Sequence, residues 1–174
     1  DQTNPDVAIA YQTLLEVSRE VQAEGWSFNK EFHYEMTPDN NKEIQIPANM
    51  LQVDASQNAS NVELDVIRRD GKLYDKAHHT YSFDNSVFCD ITWLFDFIDL
   101  PIPVADFIVS RAASITSSRV VGDPNQYQML QQKEAFNRAM AMEYECNQGD
   151  YTFFGHPGDT NKYIGYKPYN AIYR

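Results

Sequence analysis

Chemistry in this chain would have to come from its acids, its four histidines or its two cysteines, so their spacing is the first question. Glu143 and Glu145 stand near the end of a helical stretch. Two carboxylates a few ångströms apart are what glycoside hydrolysis needs, one as acid and one as base or nucleophile. With 25 acidic residues in the chain some pairs fall close by chance, and a solvated acidic face is the simpler reading. His78 and His79 are adjacent, which on a strand would send them to opposite faces, and no Cys/His spacing resembles a zinc or iron site. His33, between Glu31 and Glu35, reads as a surface histidine rather than a base. There is no G-x-S-x-G, no phosphate-cradling glycine loop and no H-E-x-x-H. Arg68 and Arg69 make a small basic spot, better suited to a strand edge or a subunit contact than to a DNA clamp. These residue types predict no catalytic centre, no metal and no cofactor.

The formal net charge is −11, from 25 acidic against 14 basic residues. Affinity for a phosphate backbone comes mainly from lysine and arginine releasing counterions, so a chain of this balance is not expected to grip nucleic acid. A surface past which DNA must slide without sticking would, by contrast, be negative. Cys89 falls on the apolar side of a predicted strand and Cys146 on a helical stripe. Both are expected as small core hydrophobes in a chain made in a reducing compartment, not as disulfide partners. No apolar run approaches the roughly 18 residues of a membrane span, and no signal-peptide pattern opens the chain. The text begins at Asp1 without a methionine, which leaves room for residues upstream.

The elements that must position these side chains are legible from periodicity. Asn4 and Pro5 read as an N-cap and first helical residue, followed by Val7, Tyr11, Leu14 and Val21 at helical spacing, with Ala10 and Val17 beside them, up to Gly25. The period then falls to two: Trp26, Phe28, Phe32, Tyr34 and Met36 alternate with polar residues as a half-buried strand. Short strands are expected at 43–46 and 50–54. Val62, Leu64 and Val66 lead to a hairpin closed by Asp70-Gly71, and a strand follows with Val87, Cys89, Ile91, Trp93, Phe95 and Phe97 on one face. Two helices come next. The first carries Val104, Phe107, Ile108 and Ile115 and stops at Gly122; the second opens with Asp123 as N-cap and Pro124 at its first position. On the second, Met129, Phe136, Met140 and Tyr144 form a stripe that Ala135, Ala139, Met142 and Cys146 widen, broad enough to face more than one neighbour.

The expected fold is α+β: a helical bundle made of the N-terminal helix and a C-terminal helical hairpin, with a small antiparallel β domain inserted between. Residues 1–25 and 101–150 form the helical domain, 26–100 the β domain, and 151–174 an extended tail. That tail holds Tyr151, Phe153, Phe154, Tyr163, Tyr166, Tyr169 and Tyr173 among glycines and prolines. It is too aromatic for a solvated coil and too broken for a helix, which predicts a segment that orders by docking, with these side chains, and with Arg68 and Arg69, as partner-binding residues.

Several stretches carry a family resemblance: AEGWSFN (23–29) after a helix, LYDKAHHTYSFD (73–84), PVADFIVSRAAS (103–114), VVGDP (120–124) and AMEYECNQGDY (141–151). In this order and spacing they resemble tail tubular protein A, the head-to-tail adaptor of short-tailed bacteriophages. The resemblance covers roughly residues 5 to 155, and its most specific parts are G-W-x-F-N and M-E-Y-E-x-x-x-G-x-Y. It implies a structural virion protein without enzymatic activity. The helical domain would build a homo-oligomeric ring, a dodecamer in that family, between the portal protein and the tail nozzle of the tail tubular protein B type, with tail fibres as further partners. Double-stranded DNA would pass through the channel, for ejection or retention, without specific binding. The implied location is the virion tail, assembled in the host cytoplasm. The competing reading is a tail-associated peptidoglycan hydrolase, resting on the acidic residues and on the need of tails to cross a cell envelope.

Overall fold

The first helix, α1 (Pro5–Ala23), starts where the Asn4 side chain accepts the Asp6 N–H at 3.0 Å, with Pro5 contributing no N–H to satisfy. It ends at Gly25, whose φ of +76° lets the chain turn sharply into Trp26. The computed structural model describes residues 4–56, 64–120 and 122–149. Five strands follow: β1 (Lys30–Met36), β2 (Met50–Ala55), β3 (Val66–Arg69), β4 (Lys72–Asp75) and β5 (Val87–Trp93). A 3-10 turn at Phe97–Asp99 leads into α2 (Ile102–Val120) and α3 (Pro124–Gly149). The fold is mixed α+β with small antiparallel sheets, as the sequence pattern predicts.

In the larger sheet β5 lies between β1 and β2, antiparallel to both. The smaller sheet is the β3–β4 hairpin, turned by Asp70 and Gly71, both at positive φ as a two-residue primed turn requires. Val87, Cys89 and Ile91 of β5 meet Ile44, Ile46, Met50, Val66 and Leu73 in one buried cluster. A second cluster is helical: Val17 and Val21 of α1, Val104, Phe107, Ile108 and Ala112 of α2, and Ala141 of α3, closed by Trp26 and Leu100. α2 is central and packs against both other helices. Its end is closed by the Gly122 N–H donating to Ser117 O at 3.0 Å.

Several expectations need correction. Only Lys30–Met36 of the predicted 26–36 strand is extended; Trp26 sits in a turn and is buried among the helices, because its ring completes their apolar cluster and its Nε1–H reaches Val21 O at 2.7 Å. The 43–46 strand is reduced to one bridge, Gln45 to Lys72, although Ile44 and Ile46 are buried as alternation requires. β5 stops at Trp93, and Phe95 turns to the helical cluster. Of the predicted α1 face, Val17 and Val21 are buried but Val7 and Tyr11 are exposed; the inner surface includes Thr13, Ser18 and Gln22 instead. Cys146 is exposed rather than buried, since α3 turns Ala141, Glu145 and Gly149 inward.

Candidate interaction surface

Gln22 and Asn29 are fully buried polar side chains, and every polar atom of both is used. Asn29 Oδ1 accepts the Trp26 N–H at 2.8 Å, while Nδ2 donates to Gln22 O and Trp93 O, each at 2.8 Å. The Gln22 side chain accepts the Phe95 N–H at 2.8 Å and donates to Phe95 O and Ser18 Oγ, each at 3.1 Å. A buried amide so satisfied fixes one geometry, because any other would leave its partners bare. Here it fixes how the end of β5 meets the end of α1. Glu145, 8% exposed, reaches the same joint from α3: its carboxylate accepts Ser27 N–H and Oγ–H at 2.9 Å. The two stretches that carried the family resemblance, G-W-S-F-N and M-E-Y-E, are therefore in contact. Glu143 is exposed, and the Glu145 carboxylate is committed to Ser27.

The helices are tied at their wet seams by arginines. Arg111 of α2 pairs with Glu20 of α1 at 2.6 Å and Glu134 of α3 at 3.6 Å, Arg119 with Glu16 at 3.5 Å, and Arg138 with Glu24 at 3.3 Å. Exposed pairs of this kind contribute little energy each. Their positional effect is that these cations are turned toward seams within the chain.

Outside those seams the helices carry uncovered apolar surface. Met129 is 72% and Phe136 65% exposed, with Met140 and Met142 also exposed. The α3 stripe predicted from periodicity is real, but among the described residues it lies off the face that packs on α2. Only Tyr144 of its four main members is drawn in toward the helical cluster. Val7, Ile9, Tyr11 and Leu15 are exposed on α1, and Ile98 (90%), in the 3-10 turn, and Ile102 (76%), at the start of α2, are exposed as well. A contiguous exposed apolar stripe marks protein–protein contact, and Met129, Phe136 and Met140, on one face of α3, form such a stripe.

The titratable groups elsewhere serve local structure. Asp75 is buried at the end of β4. Burial pushes its pKa up, but His78 Nδ1 at 2.6 Å and the Ala77 N–H at 2.8 Å outweigh that and hold the carboxyl below its ordinary value. His33 stacks on Phe88 with ring centroids 4.4 Å apart, on the sheet surface as expected. Burial drives the Cys89 thiol up to about 12. Among the described residues no cluster of His, Cys, Asp or Glu is arranged to hold a metal ion. No described helix is long and apolar enough to cross a membrane.

Arg68 donates to Met50 O at 3.1 Å and Arg69 stacks over Tyr74 at 4.2 Å, so both exposed side chains lie along the hairpin edge. Tyr151, Phe153, Phe154, Tyr163, Tyr166, Tyr169 and Tyr173 lie outside the described residues. The joint residues Gln22 and Asn29 were missed by sequence reasoning; their one signal was that Asn29 closes the G-W-x-F-N motif.

The family model described as tail tubular protein matches residues 1–151. The chain belongs to the tail tubular protein family. No curated protein matches it. As a tail tubular protein it is a structural component of a bacteriophage tail, which suits a molecule whose described surface offers uncovered apolar helix faces. The match spans both halves of the joint, Ser27 and Glu145, and stops just where the tyrosine-rich tail begins.

Proposed function

We propose that this tail tubular protein is the head-to-tail adaptor, a subunit of a closed ring seated between the portal protein and the tail nozzle. The helical domain, 1–25 with 101–150, forms the ring wall. The inserted β domain, 26–100, faces outward or toward the nozzle, with Arg68 and Arg69 at a subunit contact. The 151–174 tail is the docking arm, reaching the portal or a neighbouring copy through its tyrosines. The observation that carries this reading is the uncovered apolar surface of α1, α3 and the entry to α2. Patches on different sides of one subunit suit a heterologous contact, in which one face meets a different face of the next copy and the series closes by rotation. Twelve copies is the number the family resemblance implies. A net charge of −11 per copy suits a channel that DNA traverses rather than one that holds it.

Negative-stain microscopy of phage particles, with this chain labelled, tests the proposal. Rings carrying the label on the tail side of the portal are expected. A chain absent from virions, or present only at the far tip of the tail, would overturn it.

A further inference from the structure

Two uncovered stripes of the helical domain share one spacing. On α1, Tyr11 and Leu15 are exposed and stand four residues apart, with Ala8 three residues before them and Arg19 four after on the same face. On α3, Phe136 and Met140 are exposed and also four apart, with Lys133 three before and Glu143 three after. Neither face belongs to the seams within the chain, which use Glu16, Glu20 and Glu24 on α1 and Glu134 and Arg138 on α3. Both stripes stay exposed in one chain, so their cover has to come from outside it. Arg19, Lys133 and Glu143 are exposed too, and among the described residues none of them takes an ion pair within the chain.

Equal spacing lets the two stripes be laid together in either direction, and the charges choose one. With the helices parallel, Tyr11 meets Phe136 and Leu15 meets Met140. Arg19 then lies about 6 Å beyond Leu15 and Glu143 about 4.5 Å beyond Met140, close enough for two long side chains to pair. At the other end Ala8 falls opposite Lys133, and the small side chain leaves room for the lysine stem. With the helices antiparallel, Leu15 meets Phe136 and Arg19 comes against Lys133, two cations, while Glu143 is left facing Ala8. Like charges brought together at a contact are costly, so the parallel arrangement is favoured. An α3 to α3 contact centred on Phe136 would instead set the Glu143 carboxylate on Met129 and leave the α1 stripe bare.

We propose that the α1 stripe of one copy packs in parallel on the α3 stripe of the next, with Arg19 paired to Glu143 across the contact. This contact presupposes the ring proposed above and specifies the two faces through which its copies join. One face of each copy meets a different face of its neighbour, so the contact is heterologous and repeats around the ring.

Particles assembled with variant chains test this, with the amount of chain per capsid as the readout. Arg19→Glu should lower incorporation at least about tenfold, and Arg19→Glu combined with Glu143→Arg should restore it to within about twofold of the parent. Both positions are exposed, so the urea midpoint of each purified variant should match the parent's. As a second measurement, Leu15→Cys with Met140→Cys, on a background in which the exposed Cys146 is replaced by serine, should give covalent oligomers beyond the dimer when particles are oxidised. Neither new cysteine alone should. Normal incorporation of Arg19→Glu, a double reversal no better than the single, or particles that carry the cysteine pair without covalent oligomers would each overturn the pairing. Dimers from Met140→Cys alone would assign the α3 face to a second α3 and overturn it equally. A parent chain absent from particles removes the ring and this contact with it; a parent chain that is present, with variants that fail these outcomes, removes this contact alone.

Discussion

Replacing Asn29 with alanine should destabilise the chain far more than its position in a turn suggests. The side chain is 1% exposed and makes three hydrogen bonds of 2.8 Å. Their losses are unequal. Gln22 O keeps the Gly25 N–H at 3.1 Å, so its loss is partial. The Trp26 N–H loses its acceptor in a buried site, which costs about 1–3 kcal/mol alone. Adding about 1 kcal/mol for the Trp93 carbonyl bond and about half that for Gln22 O gives a total of about 2.5–4.5 kcal/mol. That is a large share of the 5–15 kcal/mol typical of a whole domain. Urea unfolding at neutral pH, followed by tryptophan fluorescence, is the assay, since Trp26 and Trp93 both touch the joint. The midpoint should fall with no change in slope. A loss under about 1 kcal/mol would refute the claim that this amide fixes the joint.

Four further outcomes follow from the same geometry. Under native conditions a thiol reagent should modify Cys146 and spare Cys89, whose thiol is buried with a pKa of about 12; both should react in denaturant, and native modification of both would contradict the burial. Because the folded Asp75 pKa lies below its ordinary 3.8, the stability it contributes is present above that value and is lost as pH falls through the lower folded value. Asp75→Asn should therefore remove part of the acid sensitivity of unfolding below about pH 4, measured by urea titration at several pH values. Phe136→Glu, at an exposed site, should shift stability by no more than about 0.5 kcal/mol yet prevent incorporation into particles, scored by complementation. Ser27→Ala and Glu145→Gln should be non-additive in unfolding free energy, by about 1 kcal/mol or more in a double-mutant cycle.

Periodicity and capping residues made much of the fold legible before any coordinates. Asn4-Pro5 starts α1, and Pro124 opens α3 with the Asn125 N–H donating to the Asp123 carboxylate at 2.9 Å. Asp70-Gly71 turns the hairpin, and alternation from Val87 to Ile91 marks the central strand. These are local signals, set by backbone sterics and by one face meeting a core. What failed was non-local. Trp26 looks like a strand residue by alternation, but its place is decided by helices more than seventy residues later. The α3 stripe was legible as apolar, yet no pattern within α3 shows that Ala141 turns into the helical cluster and Glu145 toward Ser27 while Met129 and Phe136 stay exposed. Gln22 and Asn29 are polar, and composition assigns polar residues to the surface. Only long-range pairing reveals them as the centre of the joint.

Methionine oxidation most directly tests the claim that the open helix faces are covered by assembly. The five methionines divide by burial: Met36 and Met50 are inside, while Met129, Met140 and Met142 are exposed. Hydroxyl-radical footprinting read by peptide mass spectrometry should oxidise the three exposed methionines readily in the isolated chain and spare the two inside. In intact virions Met129 and Met140 should be protected by at least about tenfold, as expected for side chains in a dry interface. Oxidation of both at the isolated-chain rate in virions would show those faces left open, and the account would be contradicted.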